Sequence, residues 1–151
     1  MEATAIMATA GLGLMITGGG AGSAHGLSIT GEAVIGLLKK KPEKFGTGLA
    51  LAMPPATQGL YGFVAFFLYK NMVTPEITPF AGGIILASGI AMFLSCWISA
   101  IWQGKVCAAG IEATAQGKDV FGITFMLAAF PEFYAILSLV AAILMMPLAK
   151  M

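Results

Sequence analysis

Glu132 is the one formally charged residue between positions 120 and 149, set between Pro131 and Phe133 in an otherwise apolar run. A charge deep in lipid costs at least ~2.5–3.5 kcal/mol on insertion scales, and an unpaired buried carboxylate escapes that cost by taking up a proton. A bound cation neutralises it equally well. A lone carboxylate of this kind is suited to binding and releasing a proton or a small cation. A Glu that only ties helices together is the competing structural reading, but a Gln would serve that purpose more cheaply.

Three other polar residues fall at a matching distance from their nearest turn. His25 lies 14 residues before Lys39, Gln58 lies 15 after Glu43, Gln103 lies 14 before Gly117, and Glu132 lies 13 after Asp119. At a helical rise of 1.5 Å per residue, all four sit roughly 20–22 Å from the turns. Thr57, Gln58 and Gln103 offer neutral side-chain oxygens to join the carboxylate oxygens of Glu132. Pro55 cannot donate a backbone hydrogen bond, and its ring frees a carbonyl one turn earlier, a common way to expose backbone oxygen to an ion in a membrane. Tyr61 stands four residues after Thr57, on the same helix face, where its hydroxyl can donate to the carboxylate. A few oxygens around one negative charge suit a monovalent ion better than Ca²⁺, which prefers more carboxylates. The plainer readings are that Thr57, Gln58 and Gln103 cross-link helices and that Tyr61 is an aromatic packing residue. His25, in a Gly-rich stretch, is read as structural, and Trp97 and Trp102 as packing or lipid-facing.

Elements that position these residues must cross a membrane. Of 151 residues, 58% are hydrophobic and only 10% charged, with a mean hydropathy of +0.90. A soluble domain needs about a quarter of its residues charged, so this surface is dressed for lipid. Stretches 3–31, 45–69 and 77–104 carry no formal charge, and 120–149 carries Glu132 alone. Each exceeds the ~20 residues that span a bilayer as a helix, and helices satisfy the backbone within lipid. The fold expected is an all-α membrane protein of four transmembrane helices in two tandem hairpins. Residues 1–70 form the first hairpin, without an ion-carrying carboxylate. Residues 71–79 connect, with Pro75 and Pro79 as helix stops, and residues 80–151 form the second hairpin, which carries Glu132. Phe45-Gly46 and Phe121-Gly122 follow the two hairpin turns, as an internal duplication would place them.

Lys39, Lys40, Lys41 and Lys44 in the first hairpin turn and Lys118 in the second predict cytoplasmic hairpin loops, with both termini and the middle loop on the opposite side. Glu2 stands where a signal peptide has a basic stretch, and the apolar run after it is longer than a signal core. A net charge of +1 argues against a nucleic-acid partner. The eight basic residues are all Lys, so any guanidinium near Glu132 must come from another chain. Cys96 and Cys107 read as small buried residues. The GxxxxGK[ST] pattern of a nucleotide site does not occur. Gly11, Gly13, Gly18, Gly19, Gly20, Gly22, Gly26 and Gly31 crowd the first helix, which suits the inner circle of an oligomer, where backbones approach closely.

Three runs carry a family resemblance: Pro55-Ala56-Thr57-Gln58-Gly59-Leu60-Tyr61-Gly62-Phe63, Gln103-Gly104-Lys105-Val106 and Pro131-Glu132-Phe133-Tyr134-Ala135-Ile136-Leu137. Over essentially the whole chain they resemble the membrane-rotor proteolipid of V-type ATPases, the c or K subunit, most of all that of the sodium-pumping bacterial enzymes. The resemblance implies a closed homo-oligomeric ring of about ten copies, with helices 1 and 3 inside and 2 and 4 outside, in a bacterial cell membrane. It implies Na⁺ ligands at Thr57, Gln58, Gln103 and Glu132, plus the backbone oxygen of Pro54, where the family is usually aliphatic. Tyr61 would hydrogen-bond Glu132. The family often has Lys at the position of His25, outside the ion site. Gln58 stands where single-hairpin relatives carry their carboxylate, leaving one ion site per four helices. Implied partners are a stator membrane subunit supplying an Arg, a central-stalk subunit of the rotor, and membrane lipid. Alternatives are the same rotor carrying H⁺, a structural membrane scaffold, or a small secondary transporter similar to the small multidrug resistance proteins, whose essential Glu lies in the first helix.

Overall fold

A computed structural model describes residues 2–151, and among these no strand occurs. Helix α1 spans Glu2–Lys40. The second membrane stretch is built from α2 (Phe45–Ala52) and α3 (Thr57–Tyr69), the third is α4 (Pro79–Ala115), and the fourth is α5 (Phe121–Met145). All four stretches are long and apolar enough to cross a membrane. The 39 residues of α1 and 37 of α4 give rods of about 58 and 55 Å, against a hydrocarbon core of about 30 Å. Their ends therefore stand well clear of the lipid tails.

Each turn follows from local sequence. Gly117 follows the end of helix α4, and its φ of 87° suits a residue without Cβ. There Gly117 N–H donates to Thr114 O at 3.0 Å and Lys118 N–H to Ala113 O at 3.1 Å, closing the last carbonyls. Pro42 opens the 3₁₀ turn of the first hairpin. Between the hairpins, Thr78 caps α4 by accepting Ala81 N–H at 3.1 Å, with Pro79 at the first helical position. Pro79 thus starts a helix rather than stopping one, because its missing N–H is not needed there.

Glycines set the packing. A Cβ on Gly11 would strike the backbone of Ile85 and Leu86, on Gly18 that of Phe93, on Gly22 that of Trp97, and on Gly26 that of Ala100. The partner positions ascend together, so α1 and α4 run parallel with their backbones in contact. Gly89 and Gly104 on α4 return the same contact to Gly11 and Gly26. A second stripe, Gly19 on α1 and Gly62 on α3, brings the hairpin partner against α1. Close packing of this kind replaces the hydrophobic drive that helices lack in lipid. Gly13, Gly20, Gly31 and Gly36 have nothing near them within the chain. Large apolar side chains cover the outer faces of α3 and α5, among them Leu60, Phe63, Phe67, Phe125, Met126, Phe130 and Leu144. Only lipid or another apolar protein face can cover such a surface.

Gly18→Ala forces α1 off α4 and should destabilise the folded chain by about 1–3 kcal/mol or more. Gly46→Ala, at an open position, should be neutral or slightly stabilising. Unfolding of the two variants in detergent checks the contrast.

Candidate ion site

The second stretch breaks where it meets the site. Pro54 and Pro55 have no N–H to give, so the chain tightens into a 3₁₀ turn over Pro54–Ala56. Ala56 N–H bonds Met53 O at 3.0 Å. The carbonyl of Ala52 takes the hydroxyl of Thr30 at 2.9 Å instead. Pro54 O faces the next turn and accepts both the backbone N–H and, at 3.0 Å, the hydroxyl of Thr57. Gly59 N–H, at the restart of the helix, donates to Ser23 Oγ on α1 at 2.8 Å.

Three spans converge on Glu132. Tyr61 Oη on α3 donates to Glu132 Oε1 at 2.7 Å. Gln103 Nε2 on α4 donates to Glu132 Oε2 at 2.9 Å and to Ala128 O at 3.0 Å. Gln103 Oε1 accepts Gln58 Nε2 at 2.7 Å, and Gln58 Nε2 also donates to Ser99 Oγ at 3.0 Å. Thr57 Oγ1 lies 3.4 Å from Gln58 Oε1. Gln58 and Gln103 are 0% and 1% exposed, while Glu132 is only partly buried. Every buried side-chain polar atom among the described residues has a hydrogen-bond partner. A fully satisfied network in a low-dielectric setting holds its members in one arrangement.

The structure brings Thr57, Gln58, Tyr61, Gln103, Glu132 and the Pro54 carbonyl into one connected cluster. Gln103 meets Glu132 through its amide nitrogen, its oxygen being engaged by Gln58. His25 does not join them. It is exposed, although its neighbour Gly26 packs on Ala100, Gly104 and Pro55 at the same level. The α1 contribution comes from Ser23 instead. Ser99, absent from the sequence-based set, lies inside the cluster and donates to Pro131 O at 2.8 Å. Its signal was the four-residue spacing to Gln103, which puts both on one helix face. Trp102 is exposed and packs its ring on the Lys105 ammonium, 4.1 Å away. Cys96 and Cys107 are free and buried. Among the described residues no group of three or more His, Cys, Asp or Glu side chains could hold a metal ion, and Glu132 is the one carboxylate in the cluster.

Residues 10–69 and 86–145 each match the ATP synthase C-subunit family. The chain belongs to that family, as a tandem, double-hairpin proteolipid of the V/A-type ATPases. It is 40% identical over 126 residues to the K subunit of the V-type sodium ATPase of Enterococcus hirae, covering 83% of this chain and 81% of that protein. It is 37% identical over 141 residues to the K subunit of the A-type ATP synthase of Methanocaldococcus jannaschii, covering 93% of this chain but 62% of that longer relative. The 16 kDa proteolipid of the V-type proton ATPase of Rattus norvegicus is 24% identical over 124 residues, covering 82% of this chain and 80% of that protein.

Tyr61→Phe removes one of the two side-chain donors that hold Glu132, a strong short bond of the kind worth about 1.5–3 kcal/mol when charge-assisted. The variant should fold normally, and its Glu132 should react severalfold faster with a hydrophobic carbodiimide in ion-free buffer. An unchanged rate would show that the hydroxyl does not restrain the carboxylate.

Proposed function

We propose that this chain is the rotor-ring subunit of a V-type rotary ATPase and carries Na⁺ across the membrane, one ion per chain, on Glu132. The observation that carries the reading is the capture of Glu132 between Tyr61 and Gln103, in one hydrogen-bonded cluster with Thr57, Gln58 and the Pro54 carbonyl. The sodium ATPase relative from Enterococcus hirae supports the choice of ion. A second reading, the same rotor carrying H⁺, has support from the proton ATPase relative, since a carboxylate alone suffices for a proton. Neutral oxygens gathered at the same spot favour the cation.

The mechanism uses the expense of charge in lipid as a gate. A loaded Glu132 is electrically neutral and rotates through the bilayer with its ring. Emptied, it is anionic and passes only beside a stator cation. This chain has no Arg, so the stator's membrane subunit supplies one. ATP hydrolysis in the soluble sector turns the ring through a central-stalk subunit, and no nucleotide binds here. Gln58 replaces a second carboxylate, which leaves few ions per turn and favours pumping over synthesis.

Two kinds of surface support ring assembly. The open glycines of α1 offer a face on which further copies can pack closely, which supports the arrangement the family resemblance implies, with α1 and α4 inside. The large apolar residues of α3 and α5 face lipid on the outside. The family resemblance implies a closed ring of about ten copies. The Lys-bearing hairpin turns lie on the cytoplasmic side of a bacterial membrane, with hairpin units at 1–70 and 80–151.

Na⁺ should slow carbodiimide modification of Glu132 at neutral pH, read by labelling of the intact ring. Protection by acidification alone, with millimolar Na⁺ inert, would assign the proton instead. Glu132→Gln should abolish transport in the assembled enzyme and leave the ring intact on detergent-resistant electrophoresis. Loss of assembly would make Glu132 a structural tie.

A further inference from the structure

Ser99 sits on α4 one turn before Gln103 and is 4% exposed. Its hydroxyl donates to Pro131 O at 2.8 Å and accepts from Gln58 Nε2 at 3.0 Å. The direction of both bonds is forced. A carbonyl can only accept, and a hydroxyl has one proton. With that proton on Pro131, Ser99 has only lone pairs left for Gln58, so Gln58 must turn its amide nitrogen toward it.

Gln103 is fixed in the same way. Its nitrogen donates to Ala128 O and to Glu132 Oε2, which leaves its oxygen to accept the second N–H of Gln58. Two backbone carbonyls of α5 thereby set the polarity of the whole chain of bonds. Both hydrogens of the Gln58 amide are committed, and its oxygen is left facing Thr57 Oγ1 at 3.4 Å. The single proton of Thr57 goes to Pro54 O, 3.0 Å away. Thr57 Oγ1, Gln58 Oε1 and Pro54 O therefore form a patch of oxygens, linked to Glu132 through the amides of Gln58 and Gln103.

We propose that Ser99 is a positioning residue for cation selectivity: it holds Gln58 so that its side-chain oxygen, not its nitrogen, meets the transported Na⁺. This rests on the sodium reading above. A hard cation needs lone pairs, and without Ser99 a single bond to Gln103 Oε1 is left to keep the Gln58 amide from turning a donor toward it. A proton needs only the carboxylate of Glu132, which Ser99 does not touch. Loss of Ser99 thus weakens Na⁺ while leaving proton uptake as it was, a separation that a general packing role would not produce.

The experiment measures carbodiimide labelling of Glu132 in intact rings, against Na⁺ concentration at fixed pH and against pH in Na⁺-free buffer. In Ser99→Ala the Na⁺ concentration giving half protection should rise about five- to tenfold, the effect of one buried hydrogen bond. The pH profile without Na⁺ should coincide with wild type, and Ser99→Thr, which keeps the hydroxyl, should restore the Na⁺ midpoint. An Ala variant within twofold of a Na⁺-protected wild type overturns the assignment. So does a variant whose pH profile moves along with its Na⁺ midpoint, since that marks a loss of packing. If wild type itself shows no Na⁺ protection, the sodium reading fails first and the role of Ser99 falls with it.

Discussion

A carboxylate inside the hydrocarbon layer is tolerable only while something neutralises or shares its charge. In this protein the carboxylate of Glu132 is gripped from two sides, by the Tyr61 hydroxyl at 2.7 Å and the Gln103 amide at 2.9 Å. These donors arrive from two different spans, so the second, third and fourth stretches must meet at one depth. The proline break at Pro54–Ala56 is part of that requirement. It turns a backbone oxygen toward Thr57 at the level where the carboxylate needs company.

Small residues make the meeting possible. Gly104 follows Gln103 directly and lies against the backbone of Gly26, while Gly19 lies against Gln58 and Gly59. A Cβ at either position would push α1 away from the helices that carry the two glutamines. The site's polar network and its glycine contacts are therefore one design: close backbones exclude water, and exclusion of water gives each hydrogen bond its full strength. Farther along the bundle, Tyr69 donates to Ala142 O at 2.5 Å and pins α3 to α5, again through a small residue.

Much of this was legible in the sequence because lipid enforces simple rules. Charge-free runs of sufficient length marked the four spans, and a lone Glu among them marked the site. Depth counting set Gln58, Gln103 and Glu132 at one height, and His25 with them, although its Gly-rich setting reads as structural. Counting along a helix gives height and not direction. Ser23 and His25 are two residues apart, so about 200° separates them around the axis, and the inward side belongs to Ser23. The proline pair announced a diverted carbonyl without saying where it would go. Ala52 O went to Thr30, outside the site, and Pro54 O stayed within it. Ser99 escaped notice because a serine in a membrane helix usually bonds its own backbone. Its bond to Pro131 O on another helix depends on how α4 and α5 pack.

On the sodium reading proposed above, one carboxylate and its surrounding oxygens bind one sodium ion per chain. Equilibrium binding of radioactive Na⁺ to the purified wild-type protein, beside Glu132→Gln, tests it most directly. About one saturable ion per chain is expected in wild type and none in the variant. Saturable binding that survives Glu132→Gln, or a wild type that binds no sodium at neutral pH, would contradict it.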